Sequence, residues 1–529
     1  MKKIKIGIII NGNFVDKYTN DLAIWLISNK NKFISTSFIS IKENEKKDFF
    51  TKKFFKKILF KLIIFIENIF LQLHKNHKNH LERYDLRKII KNKIILKKYQ
   101  KNKKYFFKQK DIEKVKLEKF DILIRSCADI IPKDLLNVAK EGVLSFHHGD
   151  HEKFRGSPAG FWEVFFREIS TGFMIQKIDK NLDYGKIILK GKFQTKSFFL
   201  LNQAELYQKS NFYIKKIILD FYKNKKFNFI DKGKKGKIFE TPKIINQIKY
   251  LFQTFFVLSK KKFGKQKLFS LVFFEENFLS KPFYLKNKSK KFLADPFLFK
   301  KNNQIFCFAE EYDFKTKKGH IVCMKYEDYI SQDKKIIISE KFHLSFPYIF
   351  DYAGNTYMVP DTSEISEIRL YKCTSFPYKW KFHKTLLKNI KAADSMIFKK
   401  NKIWWLFTNI DRSSSGDFTH DFSIFYSKNG PLSSKWHIHP FNPIKINSLN
   451  SRNGGLISDK NKLFRISQKQ GFDNYGEEIN FHLIKSLTPK KYIEKKTNNN
   501  QYEKIKKILK NKNIHHISKL DNKIVLDFK

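Results

Sequence analysis

A unit of about fifty residues recurs through the second half of the chain and constrains its fold more than any other feature. The stretches LADPFLFKKNNQIFCFAEE from Leu293, LSFPYIFDYAGNTYMVPDT from Leu344 and AADSMIFKKNKIWWLFTNI from Ala392 share one plan, and RNGGLISDKNKLFRISQ from Arg452 is a weaker copy. Each opens on a polar or proline site, runs through a short apolar strand to an Asn or Gly turn, and continues into an aromatic strand. Asp295 and Asp394 stand 99 positions apart, two such units. Strand–turn–strand repeats of this period imply a β-propeller, since one blade cannot bury its faces alone. About 260 residues from Lys267 onward suit five blades, with Phe269–Phe274 placed to pair with Lys523–Asp527 and close the ring.

The first half has a different rhythm. An apolar run, Ile4 to Ile10, ends at Asn11-Gly12-Asn13 and reads as a buried parallel strand and its turn. Phe14 to Ser28 follows with helical spacing in Leu22, Trp25 and Leu26, which is the strand–turn–helix opening of a Rossmann-like α/β half. The GxGxxG glycines are missing, so nothing argues for a dinucleotide. Phe49 to Leu73 carries an apolar stripe at helical spacing with Lys between, suited either to packing on its own domain or to a membrane surface. Lys75 to Lys110 is Lys- and Asn-rich and reads as a solvated helix or an insertion. Phe120 to Arg125 is the next buried strand, and Gly142 to Phe146 delivers His147 at its carboxyl end, where open α/β sheets place ligands. Gly172–Ile178 and Lys186–Phe193 are strands flanking Asp183, and Leu200–Lys223 is a closing helix. The expected domains are 1–223, α/β; 224–266, a linker with an amphipathic helix at Lys243–Lys260; and 267–529, the propeller.

Composition narrows the partners. The formal net charge is +55, yet Lys is spread over helices, loops and tails, so the charge does not single out nucleic acid. A generally basic surface attracts anionic partners of many kinds, nucleotide sugars, folates and phospholipid headgroups among them. Cys127, Cys307, Cys323 and Cys373 lie far apart without Cys-x-x-Cys spacing, which favours isolated thiols over a disulfide framework or a zinc site, and no metal is expected. The opening MKKIKIGIIING is interrupted too early for a signal peptide, and no apolar run approaches the roughly 18 residues of a membrane span, so the expectation is a cytoplasmic chain with at most peripheral membrane contact.

Between Leu144 and Ile188 the chemistry-bearing residues gather. His147, His148, Asp150 and His151 are followed by Arg155-Gly156-Ser157-Pro158 and then by Leu182-Asp183-Tyr184-Gly185. Two adjacent histidines alone could be polar loop residues. In this order the pieces resemble the folate-dependent formyltransferase family, with its Asn-x-His pair at a strand end, its Arg-Gly loop and its Leu-Asp-x-Gly turn. The likeness covers roughly Lys2 to Lys192. The family's Asn falls at Ser145, whose hydroxyl donates one hydrogen bond and has a shorter reach than a carboxamide. The resemblance implies catalytic roles for His147, Asp183 and Ser145, a cofactor site at His148, Asp150, Arg155 and Gly156, and N10-formyltetrahydrofolate as formyl donor. Such a transfer passes through a tetrahedral oxyanion that wants a hydrogen-bond donor, while a His near neutrality takes the amine's proton and Asp183 orients it.

The second half resembles the five-bladed glycoside hydrolase propellers of the arabinanases and β-xylosidases. It is more similar still to the N-terminal domain of glucosamine inositolphosphorylceramide transferase. The runs Phe292-Leu-Ala-Asp-Pro-Phe297, Glu310-Glu311-Tyr312, His343-Leu-Ser-Phe-Pro347, Val359-Pro-Asp-Thr-Ser363 and Trp404-Trp405 carry that likeness. In the hydrolases, carboxylates on the innermost strands surround an axial channel. Asp295 and Asp394 hold blade-start positions, with Glu310, Glu311 and Asp361 as further candidates for a sugar channel, whether binding or hydrolytic. Asp295 and Asp394 could equally cap backbone amides in blade turns. The two resemblances together imply a formyltransferase acting on an amine, an aminosugar of surface glycan synthesis, with the propeller holding the glycan. The alternative is a glycan-binding or glycan-processing propeller with a degenerate formyltransferase-like module. A tRNA-binding role finds support in the charge and none in the propeller.

Overall fold

The computed structural model describes residues 2–42, 52–101, 104–127, 131–179, 185–231, 233, 236–263, 267–276, 279, 281–326 and 333–529. They form two compact units, residues 1–191 with 195–262, and 192–194 with 263–529.

In the first unit the strands lie across one sheet in the order Lys186–Gln194, Ser170–Lys177, Val143–His148, Ile122–Arg125, Ile4–Asn11, Ser37–Lys42, Asn92–Lys97. The five from Val143–His148 to Asn92–Lys97 are parallel, and Ser170–Lys177 runs antiparallel to its neighbour. A parallel sheet is covered on both faces, which is why its central strands are almost unbroken Ile, Leu and Phe; Ile6, Ile8, Phe38, Ile39, Ile122 and Leu123 are all sealed from solvent. The helices of this unit are α1 (Lys17–Ser28), α2 (Lys52–Gln72), α3 (Gln109–Leu117), α4 (Lys133–Leu136), α5 (Phe161–Phe165), α6 (Phe199–Asn224) and α7 (Ile244–Phe263).

Three features depart from the sequence reading. The first helix begins at Lys17, not Phe14, because the Asp16 carboxylate caps it by accepting from the Thr19 N–H at 2.8 Å. The described part of the Lys75–Lys110 region, expected as a solvated helix or an insertion, holds short strands and no α-helix before Gln109. It supplies the edge strand Asn92–Lys97, whose Leu96 is fully buried. Helix α7 groups with the first unit, with Gln247, Tyr250 and Thr254 turned inward.

The second unit is a propeller of five sheets, each with a path of four strands. Four blades follow in sequence, Lys291–Ile338, Ser345–Lys388, Ala392–Ile438 and Asn453–Thr497. The fifth combines Ser270–Glu275 and Phe283–Leu285 with Ile517–Leu520 and Lys523–Phe528 from the other end of the chain, paired in register from Ser270↔Phe528 to Glu275↔Lys523. Chain-end pairing closes the ring and removes its open edge.

The innermost strands adjoin one another around the axis. In four of them the pairing register slips at the same place, at Ala294/Phe297, Ser345/Tyr348, Ala393/Met396 and Asn453/Gly455. Three of the slips hold a left-handed residue, Asp295 (φ 49°), Phe346 (49°) and Asp394 (51°), and the fourth skips Gly454 and resumes at Gly455, also at positive φ (128°). A bulge of this kind leaves one residue out of the ladder and re-aims its side chain. The recurring polar site at each repeat start is therefore a recurring bulge.

Candidate functional site

Parallel strands end together, and at the carboxyl ends of Ile4–Asn11, Ile122–Arg125 and Val143–His148 a cleft of about 690 Å3 opens, within the size range of small-molecule sites. Asn11, Arg125, Ser145, His147, His148 and Gly156 line it. Ser145 and Arg125 are cross-strand partners, so their side chains meet. Arg125 Nη1 donates to Ser145 Oγ at 3.3 Å, and Oγ donates to the Phe146 carbonyl at 3.1 Å. Where the resemblance expects a carboxamide, this chain has a hydroxyl backed by a guanidinium.

His147 is half-buried, and its Nε2 lies 3.3 Å from the Phe154 carbonyl. A carbonyl only accepts, so the proton of neutral His147 sits on Nε2 and the basic lone pair is on Nδ1. Burial lowers its pKa below the ordinary histidine value, against the opposing pull of the Phe154 carbonyl. His148 is held differently. Its ring stacks 5.0 Å from Phe146 and packs 4.3 Å from Tyr207, and its Nε2 meets Ser210 Oγ at 2.9 Å. Burial drives its pKa down to about 3, so it is a neutral wall of the cleft. Gly156 is required by its neighbour, since a Cβ there would lie 2.0 Å from the Phe239 carbonyl oxygen. Asn11 Oδ1 is buried without a hydrogen-bond partner, an acceptor left for a ligand N–H or O–H.

The remaining residues assigned to this site fall elsewhere. Asp150 is buried in the turn beyond the strand, where its Oδ1 accepts from the Glu152 N–H at 3.2 Å. Its own N–H points to Glu163 Oε1 at 3.4 Å, and burial raises the Glu163 carboxyl to about 7. Arg155 is on the short strand Phe154–Gly156, paired with Lys237–Phe239. Asp150 and Arg155 act on His147 through their charges, the first favouring the imidazolium and the second opposing it. Asp183 lies outside the described residues. Arg125 and Asn11 escaped the sequence reading, although both end strands that the carboxyl-end rule already marked.

The propeller axis gathers a second cluster. Asp295, Glu310, Asp361 and Asp394 are all buried there, and each of the other three adds to the cost of charging Glu310. Burial comes first among the causes and pushes Asp295 to about 7, Asp361 to about 6 and Glu310 well above the carboxylate range. Glu311 is not part of it. It binds Lys291 (2.9 Å), His320 (3.0 Å) and Lys334 (3.3 Å), and although burial alone would raise it, they hold it at about 2. Asp394 is clasped by Arg452, Nε to Oδ2 at 2.6 Å and Nη2 to Oδ1 at 3.2 Å, with the guanidinium 4.8 Å from the Tyr475 ring centre.

Asp527, from the closing strand, accepts from the Asp295 N–H (2.9 Å), the His516 N–H (2.9 Å) and His515 Nδ1 (2.7 Å). His515 Nε2 faces Asp295 Oδ1 at 3.4 Å. Donor atoms of Asp295, His515 and Asp527 lie within 4.8 Å of one another, with His515 hydrogen-bonded to Asp527 alone. Burial opposes charging His515, and Asp527 and Asp295 outweigh it, so its pKa is raised above the ordinary histidine value. Arg452, His515 and Asp527 lay outside the sequence-level candidates because Arg452 meets Asp394 from 58 positions away and the His515–Asp527 pair gains its meaning only by meeting Asp295 from another blade.

Comparison with known proteins follows the same division. Residues 59–218 match the family model described as formyl transferase, and residues 282–525 the one described as glucosamine inositolphosphorylceramide transferase 1, N-terminal. Over 209 residues the chain is 34% identical to glucosamine inositolphosphorylceramide transferase 1 of Arabidopsis thaliana, covering 38% of this chain and 27% of that protein. Over 100 residues it is 30% identical to methionyl-tRNA formyltransferase of Prochlorococcus marinus, covering 18% of this chain and 29% of that protein. The chain thus spans little more than a quarter of the length of these curated relatives. Among solved structures, the N-formyltransferase of Helicobacter canadensis aligns over 61% of this chain and 100% of its own, at 12% identity and a TM-score of 0.30.

Proposed function

We propose, from a chain that joins a formyl transferase domain to a propeller of the glucosamine inositolphosphorylceramide transferase type, that the N-terminal cleft transfers a formyl group from a reduced folate to the amine of an aminosugar. The observation that carries this is the convergence of Ser145, His147 and Arg125 on one cleft at the carboxyl end of a parallel sheet. The residues present suit a reduced folate: Asn11 Oδ1 is a buried acceptor without a partner, available to an N–H of the pterin, and Arg83 on the cleft wall suits the carboxylates of its tail. When bound, N10-formyltetrahydrofolate supplies the formyl group.

His147, kept neutral by burial, takes the proton of the incoming ammonium on Nδ1. Arg125, held in place by Ser145, presents its guanidinium to the carbonyl oxygen on which negative charge grows. Gly156 lets the Phe154–Gly156 strand lie close against Lys237–Phe239 and form the rim. By resemblance, Asp183 orients His147.

For the propeller, the clasp of Arg452 on Asp394 favours sugar binding over hydrolysis, because a carboxylate fixed in a bidentate ion pair cannot exchange protons freely. The relatives matched by this half are named glucosamine inositolphosphorylceramide transferase, and the glucosamine in that name supports a sugar-bearing acceptor. Purified protein is expected to turn over N10-formyltetrahydrofolate with a nucleotide-linked aminosugar from a broad panel, and His147→Ala to abolish it. No turnover across the panel together with no folate binding by calorimetry would refute the proposal.

A further inference from the structure

Helices α2 and α7 both carry large apolar side chains on their outer faces. On α7 the inward positions are Gln247, Tyr250 and Thr254, while Ile245 (69% exposed), Phe252 (71%), Phe255 (70%) and Phe256 (61%) form a stripe on the outer face. On α2 the inward positions are Ile63, Glu67 and Leu71, and Ile58, Leu62, Phe65 and Ile69 lie outside, spaced three or four apart. The inner faces are tied together, since the Tyr250 hydroxyl donates to Glu67, whose other oxygen accepts from the Leu200 N–H at 2.7 Å. That leaves both stripes outward on one unit. Leaving four large apolar side chains per helix facing water is unfavourable unless something covers them.

The charge around the stripes narrows what that cover is. Glu67 is the one carboxylate in the two helices, and it points inward. The outward charges are lysines, with Lys61, Lys249 and Lys260 exposed beside the stripes. Two such faces repel each other, which disfavours a second copy of the chain, whereas an anionic surface with an apolar interior satisfies aromatics and ammonium groups at once. No described helix is long and apolar enough to cross a membrane, so the helices lie along the surface. We infer that α2 and α7 form a docking face for an anionic lipid bilayer, with Phe252, Phe255, Phe256 and Phe65 entering the acyl boundary and the lysines meeting the headgroups. The inference does not depend on the formyl-transfer reading.

Flotation of the full chain tests it, using phosphatidylcholine vesicles with and without phosphatidylglycerol at low and high salt. The expected result is binding to the anionic vesicles that weakens with salt, and a loss of about tenfold or more in Phe252→Glu/Phe255→Glu, whose circular dichroism and melting temperature stay those of the parent. Absence of vesicle binding, equal binding to neutral and anionic vesicles, or undiminished binding by the variant would each overturn it. So would sedimentation equilibrium showing a dimer that the same variant dissociates, since a second copy would then cover the stripe.

Discussion

A buried imidazole with one nitrogen committed to a carbonyl behaves in a fixed way with pH. Burial places the His147 pKa below its ordinary value of 6.5, so the neutral base predominates at pH 7 and is lost only as pH falls further. The expected kcat/KM profile for formyl transfer therefore has an acidic limb with its midpoint below 6.5 and is flat above it. A limb centred above 7 would mean that some other group is the base. The Arg125–Ser145 pair makes a second prediction. Removing one preorganised donor from a developing oxyanion typically lowers kcat by about 100-fold, so Arg125→Ala should show that loss in steady-state assays with KM little changed. Ser145→Asn, which restores a carboxamide, should relieve part of the defect in the Arg125→Ala background, while Ser145→Ala in that background should not. His147 was legible in the sequence because a strand-end histidine followed by Arg155-Gly156 is a local pattern. Arg125 was not, because its meaning comes from lying across from Ser145 in the sheet.

Helices and strands raise the question of which way a periodic pattern faces. Apolar spacing identifies α2 and α7 as helices, but period alone does not say which stripe is inside, and here Gln247, Tyr250 and Glu67 are buried while phenylalanines are not. Buried polar groups must find partners, and Glu67 is that partner for Tyr250 and Leu200. Burial raises the Glu67 carboxyl to about 7. Glu67→Ala would orphan two buried donors and should destabilise the first unit by about 2–4 kcal/mol, and Tyr250→Phe, which takes a donor from Glu67 and leaves the Phe199 N–H without its acceptor, by about 1–3 kcal/mol. Urea unfolding followed by far-UV circular dichroism reads both, and a loss below about 0.5 kcal/mol in either would show that the contact is incidental. The propeller strands show the opposite case. Their fifty-residue repeat announced five blades, yet the bulges at Asp295, Phe346, Asp394 and Gly455 were visible only as a polar or proline site whose backbone geometry the letters do not encode.

At the scale of the whole molecule, the ring is fastened by one strand and one carboxylate. Lys523–Phe528, the last strand, pairs with the first propeller strand, and Asp527 within it accepts from the Asp295 and His516 amides and from the His515 ring, all buried. Taking away one partner of a buried, hydrogen-bonded ion pair costs about 3–5 kcal/mol, since the other charge stays buried. Asp527→Asn keeps the shape and removes the charge, so it should weaken the propeller. The sign with pH follows from two shifted groups. His515 has a raised pKa in the folded state, so its share of the stabilisation is complete below its unfolded value of about 6.5 and fades as pH rises through the folded one. Asp527 is lowered, with burial overcome by His515, so its share is complete above about 4 and fades as pH falls through its folded value. The stability difference between parent and Asp527→Asn should accordingly peak between about pH 4 and 6.5 and shrink on either side, measured by urea titration of a propeller signal such as tryptophan fluorescence. Trp25 and Trp162 belong to the first unit and Trp380, Trp404, Trp405 and Trp436 to the second, so the larger part of that signal reports the ring. A difference that does not change with pH would mean that His515 is neutral throughout and that the closure rests on hydrogen bonds alone.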